Sequence, residues 1–172
     1  VILDPARPVP GLADSKVLSP GRREQLAAEI RTQAVSWAIG TAAASEIDAI
    51  NIYQASRLAM RRAVAALNPS PDYLLLDALT IDWDGPQRGI IKGDAQVRCI
   101  AAASILAKTA RDACMREMDH EYPGYGLARH KGYPTREHRN ALLVLGITPQ
   151  HRRSYAPVAA AAQFAGGVKV SQ

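Results

Sequence analysis

The stretch Ile90-Ile91-Lys92-Gly93-Asp94-Ala95, running into the segment from Ile100 to Asp112, constrains this chain more than any other. From Ala95 onward the pattern predicts one long helix, on which Ser104, Lys108 and Arg111 fall at the i, i+4, i+7 spacing of a single face. These three form a polar stripe. The other side carries Ile100, Ala103, Leu106, Ala107, Ala110 and Cys114, small or apolar groups suited to close packing against a sheet or a second helix. A half-core, half-polar helix with the carboxylate of Asp94 at its mouth points to phosphate handling. A solvated charged face would give the same stripe.

Upstream, the run from Tyr73 to Leu79 follows the turn cluster Asn68-Pro69-Ser70-Pro71 and reads as a short buried strand with Asp77 at or near its end. A carboxylate isolated in such a run is costly, so it must be paired, hydrogen-bonded or bound to a cation. A strand-end Asp and a second Asp ahead of a helix are one way to build a divalent-metal site from oxygen ligands. One N-cap Asp and one hydrogen-bonded Asp is the alternative.

A third segment, His130-Lys131-Gly132-Tyr133-Pro134-Thr135, reads as a loop because of Gly132 and Pro134. Thr135 is placed to cap a helix that runs through Leu145 and stops at Gly146. An exposed Tyr133 among cations suits stacking on a base or sugar beside phosphate-binding groups. It could equally staple the next helix.

Along the rest of the chain, residues 1–3 and 35–40 read as strands, and Ser19-Pro20 supplies an N-cap and first-turn pair for a helix to about Ala34. Ser45-Glu46-Ile47-Asp48 has a capping pattern for a short helix, and Asn51 can cap a longer one to about Leu67. Arg57, Arg61 and Arg62 on that helix read as a solvated face. Strands alternating with helices imply an α/β sheet covered by helices, helical and loop-like from about Thr135. The expected domain is 1–156, followed by an Ala/Gly-rich flexible tail over 157–172 with little to bury.

Composition agrees. The length of 172 residues suits a single domain, and a formal charge of +5 favours an anionic partner such as nucleic acid. Cys99 and Cys114 are too few for a disulfide scaffold and lack CxxC spacing, which favours a reducing cytoplasm. No long apolar run is available to span a bilayer, and no signal peptide is visible.

Taken in order, Leu12-Ala13-Asp14-Ser15-Lys16-Val17-Leu18-Ser19, Glu46-Ile47-Asp48, Leu76-Asp77-Ala78, Lys92-Gly93-Asp94, Ala102-Ala103-Ser104-Ile105-Leu106-Ala107-Lys108, Arg111-Asp112 and His130-Lys131-Gly132-Tyr133 resemble ribonuclease HII, over nearly the whole chain up to about Tyr155. The resemblance implies an α/β fold with a ribonuclease H-like mixed sheet flanked by helices and a helical C-terminal portion. It also implies a metal-dependent endonuclease that cuts the RNA strand of RNA–DNA hybrids and incises DNA 5′ to embedded ribonucleotides. In that family four acids hold two Mg²⁺ or Mn²⁺ ions, and Asp77 and Asp94 resemble the third and fourth. Tyr133 resembles the tyrosine that stacks at the RNA-to-DNA junction. Ser15, Lys16, Ser104 and Lys108 resemble groups that hold the backbone, with Arg111 and Lys131 beside them as further nucleic-acid contacts. The implied chemistry is in-line attack of water on the phosphate 5′ to a ribonucleotide, with ions about 3.5–4 Å apart.

One departure matters. The Asp-Glu-x-Gly-Arg-Gly strand that supplies the first two acids of the family does not occur in these residues; Asp72, Asp82 and Asp84 lack a Gly-Arg-Gly partner. The chain is therefore expected to be a fragment and to be catalytically crippled as it stands. A non-catalytic remnant that binds RNA–DNA hybrids is the alternative, and a protein acting on a small anionic metabolite would need a Gly-rich phosphate loop that the sequence does not have. The expected state is a monomer away from membranes. Gln163-Phe164-Ala165 is too thin an aromatic signal to support docking on a replication sliding clamp.

Overall fold

The computed structural model describes residues 1–167, with side chains through Gln163. The first helix begins as its residue types dictate. Ser19 is extended and its side chain accepts from the Arg22 amide, while Pro20 opens α1 (Pro20–Gln33) at a position where its missing N–H costs nothing. The next helical stretch, α2 (Ala44–Ala65), is two helices joined at Asn51, whose backbone is non-helical (φ 66, ψ 165). Asn51 Oδ1 accepts from the amides of Tyr53 and Gln54 at 3.0 and 3.1 Å, so Asn51 caps the second half as expected. The start of the first half differs from expectation. Glu46 Oε2 satisfies the Ala43 amide at 2.9 Å, and Asp48 is used elsewhere.

The strand expected around Asp77 is β1 (Leu74–Asp77), with Asp77 as its last residue. Its partner is β2 (Gln87–Ile90), parallel, in the register Leu74↔Gln87 to Asp77↔Ile90. Parallel neighbours usually need a crossover of about a dozen residues or more, commonly a helix. Here residues 78–86 suffice because the Gln87 side chain braces the loop from inside, accepting from Ile81 N at 2.9 Å and donating to Ile81 O at 2.8 Å. Gly89 permits a close approach, since a Cβ there would lie 2.8 Å from the Leu79 carbonyl oxygen. Buried and exposed residues alternate along β1, with Leu74 and Leu76 inside and Leu75 exposed, so the run is not buried on both faces. Residues 1–3 and 35–40 do not extend into full strands; they meet in one antiparallel bridge, Ile2↔Ser36.

The long helix expected from Ala95 is divided. A single turn, α3 (Gly93–Gln96), ends at Val97, which is extended (φ −127, ψ 121) and returns its amide to Gly93 O at 2.8 Å. The main helix, α4 (Arg98–Glu121), follows. Its buried face is Ile100, Ala101, Ala102, Ile105 and Leu106, whereas Ala107, expected in the core, is exposed.

The chain divides into two compact units. The first comprises Val1–Thr41 and Ser56–Ala110 and holds two clusters. In one, α1 places Leu26, Ala27 and Ile30 against Ala102, Ile105, Leu106 and Val9. Each large aliphatic there contributes about 1.5–3 kcal/mol by leaving water. The other gathers Leu74, Leu76 and Ile81 with Met60, Val64 and Trp83. The second unit comprises Ala42–Ala55 and the chain from Arg111 onward. It contains α5 (Leu127–His130), α6 (Arg136–Leu145) and α7 (Ala156–Gly167). Thr135 caps α6 by accepting from the His138 amide, and Gly146 (φ 82) ends it, both as expected. The C-terminal stretch departs from expectation. Residues 156–167 form α7, whose Val158 and Ala161 are buried with Tyr125, Leu127 and Leu142. An Ala-rich segment loses little side-chain entropy in a helix, and two apolar contacts on one face are enough to dock it. The rest of the expected tail, from residue 168, and the side chain of Phe164 lie outside the described residues. Among the described residues no helix is long and apolar enough to cross a membrane.

Candidate metal and nucleic-acid site

Asp77 reaches the site because the chain turns immediately after β1, with Ala78 in the left-handed region (φ 61) and its amide on Ile90 O at 2.9 Å. Asp77 Oδ1 accepts from the Gly93 amide at 2.9 Å. That bond joins the strand end to the turn bearing Asp94. Gly93 leaves room there for the Ile100 side chain, which a Cβ would meet at 2.6 Å from Cδ1 and force to shift. Asp94, the next residue, is only 6% exposed. A buried carboxylate needs a counter-charge, and Lys16 supplies one: its Nζ lies 3.5 Å from Asp94 Oδ2. The Lys16 side chain is itself 79% exposed, so the charge is held from the solvent side.

The loop carrying Lys16 is built by its own residues. Asp14 Oδ1 accepts from Lys16 N at 2.8 Å, an Asx turn that sets the lysine's direction. Arg23 fastens the loop by donating to the carbonyls of Ser15 and Leu18 at 2.9 and 2.7 Å. Ser15 is buried, and its Oγ meets Ser104 Oγ at 2.8 Å, which brings the polar stripe of α4 to this loop. The Asp14 carboxylate first, then Asp94 and more weakly Asp77, raise the Lys16 pKa above the ordinary lysine value. Lys16 therefore stays cationic through neutral and moderately alkaline pH. Asp14 was not among the residues singled out by type and spacing, although its place beside Ser15 and Lys16 is the signal that could have found it.

Two carboxylates beside an ammonium and two hydroxyls offer hard oxygen donors next to phosphate-binding groups. Mg²⁺ is typically held by one or two carboxylates together with substrate phosphate oxygens, so Asp77 and Asp94 suit one such ion in donor type and number. A fuller protein cage is not in evidence: among the described residues no group of three or more His, Cys, Asp or Glu side chains is arranged to hold a metal ion.

Three of the remaining candidates, Arg111, Lys131 and Tyr133, lie in the second unit. Lys131 (φ 53) and Gly132 (φ 78) both take left-handed conformations, which throws Tyr133 outward to 64% exposure. The Lys131 ammonium caps the carbonyl of Ala128 at 2.5 Å, so it closes α5 in addition to any phosphate contact. Arg111 Nη2 donates to Lys131 O at 3.3 Å and supports the same loop. Lys108, on the α4 stripe of the first unit, is half-buried. Sequence reasoning missed the buried imidazoles behind Tyr133. The rings of His130 and His138 stack, and His138 Nε2 lies 3.2 Å from His151 Nε2.

The fold and this site define a class. The crystal structure of the ribonuclease H2 from Pyrococcus horikoshii OT3 superposes with a TM-score of 0.74, covering 89% of this chain and 81% of that one, and at 22% identity the likeness concerns the fold. The family model described as Ribonuclease HII matches residues 8–158. Two relatives named Ribonuclease HII, from Solibacter usitatus and Myxococcus xanthus, are 57% and 59% identical over 164 and 150 residues. Those stretches take in 95% and 86% of this chain, and 72% and 51% of the respective relatives. The chain belongs to the ribonuclease HII family.

Proposed function

We propose that this chain carries the substrate-holding side, and two of the metal-binding acids, of an endoribonuclease that hydrolyses the RNA strand of RNA–DNA hybrids and incises DNA 5′ to embedded ribonucleotides. The single observation that supports this reading is the convergence of Asp77 and Asp94 on one turn beside Lys16, Ser15 and Ser104. Asp77 and Asp94 are the proposed ligands of Mg²⁺ or Mn²⁺. When bound, such an ion neutralises phosphate charge and lowers the pKa of water. Everything else falls to the chain's own groups. Lys16, exposed and cationic, turns its ammonium from Asp94 to a phosphate oxygen; the bonded pair Ser15 and Ser104 offers the same backbone its one remaining hydroxyl proton; Lys108, Arg111 and Lys131 add positive charge; Tyr133 stacks on a sugar or base at the RNA-to-DNA junction.

Two-metal catalysis needs two more acids, of the kind an Asp-Glu-x-Gly-Arg-Gly strand provides. The test compares the 172-residue chain with a version carrying such a strand ahead of Val1, using Mg²⁺-dependent nicking of a duplex with one embedded ribonucleotide. The expected result is binding without turnover for the first and turnover for the second. Binding without turnover in both assigns the chain to the second reading, a non-catalytic hybrid-binding remnant. Absence of binding in both removes either reading. We also place the protein in the cytoplasm as a monomer, with no support for a sliding-clamp contact.

A further inference from the structure

The three buried histidines of the second unit are used by nothing described so far, and backbone partners decide which nitrogen of each ring carries the proton. His151 Nδ1 accepts from the Thr148 amide at 3.0 Å, so neutral His151 holds its proton on Nε2. His138 Nδ1 faces the Tyr133 carbonyl at 3.1 Å, which can only accept, so neutral His138 holds its proton on Nδ1 and offers Nε2 as a lone pair. The two assignments meet without conflict: His151 Nε2–H donates to His138 Nε2 across 3.2 Å. His130 obeys the same logic, donating from Nε2 to Tyr125 O at 2.8 Å and accepting at Nδ1 from Gly132 N at 3.3 Å. Its ring stacks on His138 with centroids 4.4 Å apart.

We propose that His138 and His151 are positioning residues for Tyr133: a one-way relay from the Thr148 amide through both imidazoles to the Tyr133 carbonyl holds that residue in its outward pose, and a proton on His138 keeps the bond to Tyr133 O but breaks the link between the rings, so the pose loses the support of His151 and nucleic-acid stacking weakens in acid. The inference rests on the reading of Tyr133 as the stacking residue. A proton added to His138 sets a second N–H against His151 Nε2–H. A proton added to His151 at Nδ1 faces the Thr148 amide, with Thr148 Oγ1 at 2.8 Å as its alternative acceptor. Among the described residues no carboxylate is hydrogen-bonded to either ring. Glu137 is tied to Arg129 at 2.9 Å, Arg152 lies over the Tyr155 ring at 3.7 Å, and the Tyr125 hydroxyl donates to Leu145 O and Gly146 O. Lys131, just past α5, and Arg136 and Arg139 on α6 are the further charged groups of this segment, all cations. Burial first, and for each ring a neighbouring imidazole as well, depress both pKa values.

Long-range ¹⁵N–¹H correlation spectra of the whole chain read the relay directly. The expected result is an Nδ1–H tautomer for His138 and an Nε2–H tautomer for His151 at neutral pH, both titrating below about 6.5. Opposite tautomers, or a charged ring at neutral pH, overturn the relay. Binding of a labelled DNA duplex with one ribonucleotide reads its consequence. Tyr133→Ala and His138→Phe are each expected to weaken binding by about fivefold or more, and the double variant to bind no worse than Tyr133→Ala alone. Additive losses overturn the positioning role while leaving the stacking reading intact. No loss with Tyr133→Ala removes the stacking reading, and this inference with it. His138→Asn keeps a donor toward Tyr133 O and cannot be protonated. Because it lacks the ring nitrogen that accepts from His151, it is expected to bind between the parent and His138→Phe at neutral pH, and to lose less affinity than the parent between about pH 7.5 and 5.5; an acid loss equal to the parent's overturns the proposed pH dependence.

Discussion

At the scale of single residues, Asp77 and Lys16 separate architecture from chemistry. The hydrogen bond that Asp77 makes is as an acceptor for the Gly93 amide, and an amide oxygen can do that. Asp77→Asn is therefore expected to leave the urea midpoint nearly unchanged while abolishing Mg²⁺-dependent nicking in the strand-completed version; undiminished nicking would exclude Asp77 as a ligand. Lys16 is itself exposed but is the counter-charge of the buried Asp94 carboxylate, so Lys16→Ala should lower the melting temperature modestly. It should weaken nucleic-acid binding and reduce the slope of log affinity against log salt by about one. An unchanged slope would mean that Lys16 never meets a phosphate. Gly93 has the opposite character. A methyl group there meets Ile100 Cδ1 at 2.6 Å, and overpacking of that kind typically costs about 1–3 kcal/mol, readable as a lower urea midpoint for Gly93→Ala.

At the scale of elements, two segments deserve comparison because their sequences mislead in opposite ways. The stretch from Ala95 has unbroken helical periodicity, yet Val97 is extended and divides α3 from α4. The break lets Gly93 and Asp94 sit on their own short turn, where the Gly93 amide faces Asp77. The C-terminal stretch looks too bland to fold, yet α7 buries Val158 and Ala161. Ending the chain after Tyr155 should therefore lower the melting temperature of the protein, by an amount consistent with losing about 1.5–3 kcal/mol of Val158 burial and a smaller share from Ala161. An unchanged melting curve would show that α7 contributes no docking energy. In α2, Asn51 combines a left-handed φ with a side chain that satisfies two amides. Asn51→Gly keeps the backbone option and Asn51→Ala removes both. The alanine variant should be the less stable of the two in urea, in line with N-cap substitutions that cost about 1 kcal/mol for alanine and a few tenths for glycine.

At the scale of the whole molecule, acid stability is tied to imidazoles whose folded pKa values lie below the ordinary value of about 6.5. The unfolded chain binds protons at these sites first. Stability is thus complete above about pH 6.5 and declines as the pH falls below it, until the folded rings themselves titrate. The urea midpoint should be lower at about pH 5.5 than at about pH 7.5, and His138→Asn should flatten part of that dependence. The net charge of +5 acts in the other direction on function, drawing the chain toward anionic polymers with an affinity that falls as salt rises.

What the sequence determined by itself is everything governed by a few neighbouring residues. Ser19 with Pro20, Thr135 with Gly146, and Asn51 mark helix ends because caps satisfy amides within one turn. Asp77 closes a strand, and Tyr133 stands on a Gly/Pro loop, for similarly local reasons. The ordered motifs from Leu12 to Tyr133 carried the family. Only the tertiary structure decided which distant groups meet. Ser15 bonds Ser104 across 89 positions, Asp48 gives up its apparent capping role to hold Ser154 across 106, and His138 and His151 form one relay from different segments. Periodicity records which face of an element is apolar. It does not record which other face will cover it, so pairings that depend on packing between remote segments become visible only once the chain is folded.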